Sequence, residues 1–196
     1  MRFKLGLTGS IGMGKSQTAE FFAEAGCLVW DADAAVHRLY GAGGAAVAAI
    51  AAEFPQAIVQ GAVSREALRE VIAADAGALK RIEAIVHPLV RADRAAFDTS
   101  HPEAIGVFDI PLLYETGSEA EFDAVACVTI PEEFQRDRVL ARGTMSAADL
   151  DRILARQMPN AEKCARADFV IVTDTLDHAR AQVQDVLKEI ERRIDA

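Results

Sequence analysis

Gly9-Ser10-Ile11-Gly12-Met13-Gly14-Lys15-Ser16 carries the spacing G-x-x-x-x-G-K-[ST], directly after an apolar run and directly before a helix-like segment. That spacing is the signature of a phosphate-binding loop. Gly9, Gly12 and Gly14 permit positive φ and leave no Cβ in the way, so consecutive N–H groups of the loop can converge on phosphate oxygens. Lys15 supplies a mobile ammonium for the β and γ phosphates. Ser16 offers a hydroxyl to Mg²⁺, and Gln17 follows in the first turn of a helix whose N-terminus is partly positive. Average residue frequencies put an accidental match at on the order of one per cent in a chain of this length.

Carboxylates and arginines elsewhere supply the rest of a phosphoryl-transfer set. Asp31 and Asp33, in Trp30-Asp31-Ala32-Asp33, fall at the carboxyl end of an apolar run, the edge where α/β sheets place ligands. Asp33 is a candidate base for an attacking hydroxyl, or else the N-cap of the helix that follows. Asp109 opens Asp109-Ile110-Pro111-Leu112-Leu113-Tyr114-Glu115, where it can reach Mg²⁺ through water or tie the turn. His87-Pro88 is a weaker signal, since a lone His is more often structural. Arg138 and Arg142 stand four apart and share a helix face. With Arg152 and Arg156 they can close over phosphates as a lid, or else lie on solvated faces paired with Glu133, Asp137 and Asp149.

Five short apolar runs must hold these groups: Phe3 to Thr8, Cys27 to Trp30, Ile105 to Phe108, Ala124 to Ile130 and Phe169 to Val172. Helical stretches alternate with them, which predicts an α/β fold with a parallel sheet covered on both faces. Residues 34–100 form an insertion with no convincing strand, longer than a crossover requires, and read as a helical subdomain with N-caps at Ser64 and Asp75. A second excursion starts with Pro131 at the first helical position, ends its first helix at Gly143, and restarts at a capping box, Ser146 to Asp149, running to Met158. The expected division is a nucleotide-binding core of 1–33, 101–135 and 159–196, an acceptor-gripping insertion of 34–100 and a lid of 136–158.

Composition narrows the partners. The chain has 196 residues, 51% of them apolar, and a net charge of −9, which disfavours nucleic acid and anionic membranes. The longest apolar tract, residues 45–52, is too short to span a bilayer. No signal pattern is read at the N-terminus, and three cysteines, Cys27, Cys127 and Cys164, lack metal spacing. A cytoplasmic protein, monomeric or a small homo-oligomer, is the expectation.

The combination of TGSIGMGKS from Thr8, DADAAVH from Asp31 to His37, VHP from Val86 to Pro88, DIPLLYE from Asp109 to Glu115, and Arg138, Arg142 and Gln157 closely resembles the bacterial dephospho-coenzyme A kinases. The resemblance runs from near Met1 to about Leu187. It implies a three-layer P-loop nucleotide kinase-like fold with a parallel five-stranded sheet, a helical substrate-binding insertion and a helical lid. It also implies Mg²⁺-ATP as donor, the ribose 3′-hydroxyl of dephospho-coenzyme A as acceptor, and the last step of coenzyme A synthesis as the reaction. By that likeness Asp33 is the general base, Lys15 and Arg142 stabilise transferring charge, and Arg138 joins Arg142 on the nucleotide. Thr8, Asp31, Asp33, His87, Asp109, Pro111, Leu112 and Leu113 match positions that line the acceptor site.

The sequence departs from that family at two places. Gln17 stands where a Thr is usual. Val172-Thr173-Asp174-Thr175 replaces an Asn-and-Gly turn near the adenine, so no base-reading residue is assigned there. The rival readings are another small-molecule P-loop kinase and a nucleotide-dependent switch. A GTPase would need a guanine-reading N-K-x-D, which the same turn does not provide.

Overall fold

The computed structural model describes residues 1–196. In chain order the elements are β1 (Phe3–Thr8), α1 (Lys15–Glu24), β2 (Leu28–Asp31), α2 (Ala32–Tyr40), α3 (Val47–Glu53), β3 (Ile58–Val59), β4 (Ala62–Val63), α4 (Arg65–Ala74) and α5 (Ala78–Ser100). Then follow β5 (Ile105–Asp109), β6 (Ala124–Thr129), α6 (Glu132–Ala141), α7 (Ala147–Leu154), α8 (Asn160–Arg166), β7 (Phe169–Val172) and α9 (Leu176–Asp195). The chain divides into two compact units, one of residues 1–30 with 101–196, the other of residues 31–100.

The first unit is built on a parallel five-stranded sheet of order β2-β5-β1-β6-β7. Continuous apolar runs make these strands because a parallel sheet is covered on both faces. The central strand β1 pairs with β5, Leu7 opposite Asp109, and with β6, Leu7 opposite Ala126. On one side, α1 and α9 bury Phe21, Phe22, Val183, Leu187 and Ile190 against Leu5, Leu7 and Val128. Each such side chain removed from water contributes about 1.5–3 kcal/mol.

The second unit has its own core of Leu39, Ile50, Phe54, Leu68, Ile82 and Val86. Its long helix α5 turns Ala78, Ile82 and Val86, spaced by four, onto that core, and keeps Pro88 inside the helix at the cost of one backbone hydrogen bond. The expectation that residues 34–100 hold no strand fails in one place. β3 and β4 pair as an antiparallel hairpin, Ile58 opposite Val63. The turn is Gln60-Gly61 with φ of 51° and 77°, a two-residue turn of the type-I′ kind. Gln at its first position hid it, since Asn or Asp is the usual signal.

Helix ends also differ from the expectation. Asp31, not Asp33, caps α2: its carboxylate accepts the Ala34 N–H at 2.6 Å, because the first-turn N–H groups of a helix need an outside acceptor. Ser64 caps α4 as expected. Asp75 instead closes α4, while its carboxylate takes the Gly77 N–H just ahead of α5. Pro131 is the N-cap of α6, one position before the first helical residue. The capping box of Ser146 and Asp149 is present, but α7 stops at Leu154, short of Met158.

Candidate active site

The phosphate loop hangs from the central strand. Beyond Thr8 the chain turns through Gly12 (φ +80°) and Gly14 (φ +89°) into α1. Both glycines are obligatory for a second reason: a Cβ on Gly12 would lie 2.4 Å from Val139 Cγ2, and one on Gly14 would lie 2.8 Å from Thr173 Oγ1. Neighbouring elements therefore sit directly on the loop. The first bond inside α1 runs from Thr18 N–H to Gly14 C=O, 3.1 Å, and no side chain caps the helix. The N–H groups of Lys15, Ser16 and Gln17 thus lack intrahelical acceptors and form, with the helix dipole, an anion seat.

Lys15 is ion-paired with Asp109, whose carboxylate is only 2% exposed at the end of the adjacent strand. Asp109 therefore reaches the lysine directly, which the water-mediated Mg²⁺ contact read from sequence did not foresee. Ser16 is exposed at the first turn of α1, and Gln17 donates to Glu20 at 2.8 Å.

Side chains from later in the chain hold the first half of the loop. Ser10 N–H donates to Asn160 Oδ1 (2.9 Å) and Ile11 N–H to Gln157 Oε1 (3.3 Å). Gln135 Nε2 donates to the Ile11 carbonyl at 2.7 Å, and Thr173 Oγ1 to the Met13 carbonyl at 2.8 Å. Of these, Gln157 belongs to the residues that carry the family resemblance, and Thr173 to the turn that departs from it. Gln135, Asn160 and Thr173 read as ordinary helix and turn residues, and no local pattern marks a carboxamide that bonds a loop 124 or more residues away.

Arg138 donates to the Thr173 carbonyl (2.7 Å) and lies within 3.3 Å of its hydroxyl. Together with Arg142, at the C-cap of α6, it borders a recess of about 240 Å³ beside the loop, closed by Gly12, Phe21 and Leu176. Arg152 and Arg136 do not join them. They pair with Asp149 (3.3 Å) and Asp151 (2.8 Å), and Arg156 is exposed. The departing turn after β7 is a cap: Thr175 receives the His178 N–H, and Asp174 receives the Thr175 N–H and pairs with His178 Nδ1 at 2.7 Å. Those contacts hold the Asp174 carboxyl below its ordinary value.

The segment after Asp109 divides by burial. Leu112 is 43% exposed, whereas Leu113 is fully buried against Gly6, so it belongs to the core and cannot face an acceptor. Thr8 is likewise buried, its hydroxyl donating to the Pro111 carbonyl at 3.2 Å. The same carbonyl accepts from Lys163 Nζ at 2.9 Å, and Lys163 pairs with Glu115 at 2.8 Å. Lys163 is fully buried and sequence gave no sign of it. Burial alone would raise the Glu115 carboxyl, but the bonds from Lys163 and the Met158 N–H outweigh it and hold the group below its ordinary value. Tyr114 has no partner for its buried hydroxyl, and burial pushes it up to about 12.

In the second unit Asp31 is committed to its cap, and Asp33, in the first turn of α2, is exposed. His87 is exposed on α5, on the side away from Ile82 and Val86, so it does not serve that unit's core.

A parallel sheet that delivers anion-binding N–H groups, a lysine paired with a buried acid and two arginines around one loop defines a P-loop kinase. The family model for dephospho-CoA kinase matches residues 3–178. A dephospho-CoA kinase of Ruegeria pomeroyi is 67% identical over 190 residues, covering 97% of this chain and 96% of that one. One from Cereibacter sphaeroides is 59% identical over 194 residues, 99% and 98% of the two chains. The crystal structure of a Thermus thermophilus protein superposes with a TM-score of 0.83 at 33% identity, over 95% of this chain and 97% of that one. Dephospho-CoA kinase from Campylobacter jejuni shares the fold, with a TM-score of 0.70 at 24% identity over 96% and 97%. The chain belongs to the dephospho-CoA kinase family. No helix is long and apolar enough to cross a membrane.

Proposed function

We propose that this protein transfers the γ-phosphoryl group of ATP to the ribose 3′-hydroxyl of dephospho-coenzyme A, giving coenzyme A and ADP, the final step of coenzyme A biosynthesis. The observation that carries the reading is the intact phosphate loop, open at the first turn of α1 with Lys15 poised on Asp109, in a chain matched over residues 3–178 by one kinase family.

Phosphoryl transfer passes through a loose transition state, so the protein's work is alignment and charge neutralisation. The N–H groups of Gly12 and of Gly14 to Ser16 cradle the phosphates, while Met13 N–H turns back onto the Ser10 carbonyl; Lys15 moves from Asp109 onto the β and γ oxygens, and Arg142 and Arg138 approach from α6. Asp33 takes the proton of the acceptor hydroxyl as its oxygen bonds to phosphorus and the bond to the ADP oxygen breaks. The exposed Asp33 carboxylate, with Asp31 spent on the cap, supports this division of labour.

Mg²⁺ suits the donor set. No three His, Cys, Asp or Glu side chains could hold a metal by themselves, whereas the exposed Ser16 hydroxyl offers one hard oxygen. A small hard cation that keeps several waters would take that oxygen together with nucleotide phosphates, and would neutralise phosphate charge there.

Residues 34–100 grip the acceptor, with His87, Leu112 and Pro111 as further acceptor contacts, whereas the buried Asp109 is committed to Lys15, and the protein is assigned to the cytoplasm as a monomer or small homo-oligomer. The lid is residues 136–158, of which we take the stretch after α6 as the moving part, since Gln135, Arg138 and Val139 tie α6 to the loop and β7. The test is ADP release from Mg²⁺-ATP with dephospho-coenzyme A, AMP or shikimate offered separately, beside a no-acceptor control. Turnover with dephospho-coenzyme A alone is expected, and turnover with another acceptor only would discard the assignment.

A further inference from the structure

Ile11 is an unusual point in the phosphate loop, because both of its backbone polar groups are taken by side chains from opposite ends of one excursion. Gln135 on α6 donates to its carbonyl, and Gln157, in the turn after α7, accepts from its N–H. Between those two glutamines lie the end of α6, all of α7 and Arg138 and Arg142.

The two contacts differ in kind. The Gln135 bond is 2.7 Å long and its side chain is buried. Val139, one turn further along the same face, packs where Gly12 has no Cβ, and Arg138 is tied to Thr173. α6 is therefore fixed to the loop up to about Val139. The Gln157 bond is 3.3 Å, at the long end for an N–H donor, and its side chain is only partly buried. Just beyond it the chain is fixed again, through Met158 N–H on Glu115 (2.8 Å) and Asn160 on Ser10 N–H (2.9 Å). Asn160 itself is anchored by its Nδ2 on the Val128 carbonyl and the Thr129 hydroxyl. What is left between two fixed ends is the stretch from Ala141 to Arg156, which carries Arg142.

We infer that Gln157 is a positioning residue, a weak latch that couples the stretch carrying Arg142 to the phosphate loop through the Ile11 peptide. With the latch made, Arg142 is returned toward the N–H groups that follow Ile11. Gln135 is the permanent side of the clasp and Gln157 the side that opens. The inference rests on the kinase reading for the identity of the anion, the phosphates of ATP.

The test is a double-mutant cycle between Gln157→Met, which keeps size and loses the carbonyl acceptor, and Arg142→Met. ATP affinity is measured by calorimetry without acceptor, and turnover with both substrates varied. Gln157→Met is expected to weaken ATP about tenfold, the effect of loosening the Arg142 contact with phosphate, while leaving KM for dephospho-coenzyme A unchanged. In the Arg142→Met background the same change should cost less than about twofold, since a latch has nothing left to position. Gln157→Ala should repeat both results. Additive losses, unchanged ATP affinity, or an equal rise in KM for both substrates would overturn the inference, and unfolding of both Gln157 variants would do so as well. Because the calorimetric arm uses ATP alone, a wild type that binds ATP but ignores dephospho-coenzyme A would refute the functional reading and leave the latch measured.

Discussion

The Lys15 ammonium rests on the Asp109 carboxylate, so the charge that must meet phosphate is already held by a protein acid before nucleotide arrives. Two consequences follow from one pair. Lys15 keeps the buried Asp109 carboxylate satisfied, and Asp109 in turn competes with the triphosphate for that cation.

Asp109→Asn should therefore separate stability from affinity. Removing the carboxylate leaves Lys15 without its counter-charge and is expected to lower unfolding stability by about 1–3 kcal/mol. The same change should tighten ATP binding in the absence of divalent cation, because the lysine no longer has to be drawn off an acid. Urea denaturation and calorimetry check the two halves, and weaker ATP binding in the variant would contradict the competition.

Asp33 carries no cap and no ion pair that would explain it structurally. Asp33→Asn should keep the fold and ATP affinity within about twofold while lowering turnover by about 10²–10⁴, the range for loss of a general base. Turnover near that of the unmodified protein would remove Asp33 from the base role.

Thr173 is the point where β7, the loop and Arg138 meet. Thr173→Val keeps the shape but deletes the donor to the Met13 carbonyl and the oxygen facing Arg138. A stability loss of about 1–3 kcal/mol is expected from the unsatisfied buried carbonyl. ATP affinity should fall with it, read as a smaller rise in melting temperature on adding ATP.

How much of this was legible beforehand depends on the distance over which a residue acts. The loop, the five strands and the Ser146 capping box are local patterns, in which spacing along the chain and spacing in the molecule coincide. Asn160, Gln135 and Thr173 act across 150, 124 and 160 residues, and nothing in their own neighbourhoods records the partner. Leu113 misled for the opposite reason. Its place in the Asp109 to Glu115 segment suggested an acceptor contact, while the absence of a side chain at Gly6 made room for it in the core. Asp31 and Asp33, two apart at a helix start, were both able to cap, and only the backbone settled which one does.

Lys163 and Glu115 give a pH dependence with a definite sign. The folded Glu115 carboxyl lies below its ordinary 4.5, so its contribution is present in full above about pH 4.5 and is lost as pH falls through the lower folded value. Lys163→Met would strand the carboxylate and cost about 3–5 kcal/mol at pH 7. Without Lys163 the folded carboxyl titrates higher than in the unmodified protein, because burial is then opposed by the backbone bonds alone, so the deficit shrinks on going from pH 7 toward pH 5. Urea midpoints at the two pH values measure this, and a deficit that grows on acidification would rule out the assignment.

The sheet order has a consequence for how the chain is made. β1 and the phosphate loop leave the ribosome long before their partners: β1 pairs with residues 105–109 and 124–127, and the loop is braced by residues 135, 157, 160 and 173. No ladder can form around β1 until residue 105 and those after it have been synthesised, and pairings that close such long loops are slow to nucleate. The phosphate loop is thus translated before every group that completes it. A message truncated anywhere between Ser16 and Thr173 yields a product with the full nucleotide-binding motif and no finished place to put the nucleotide.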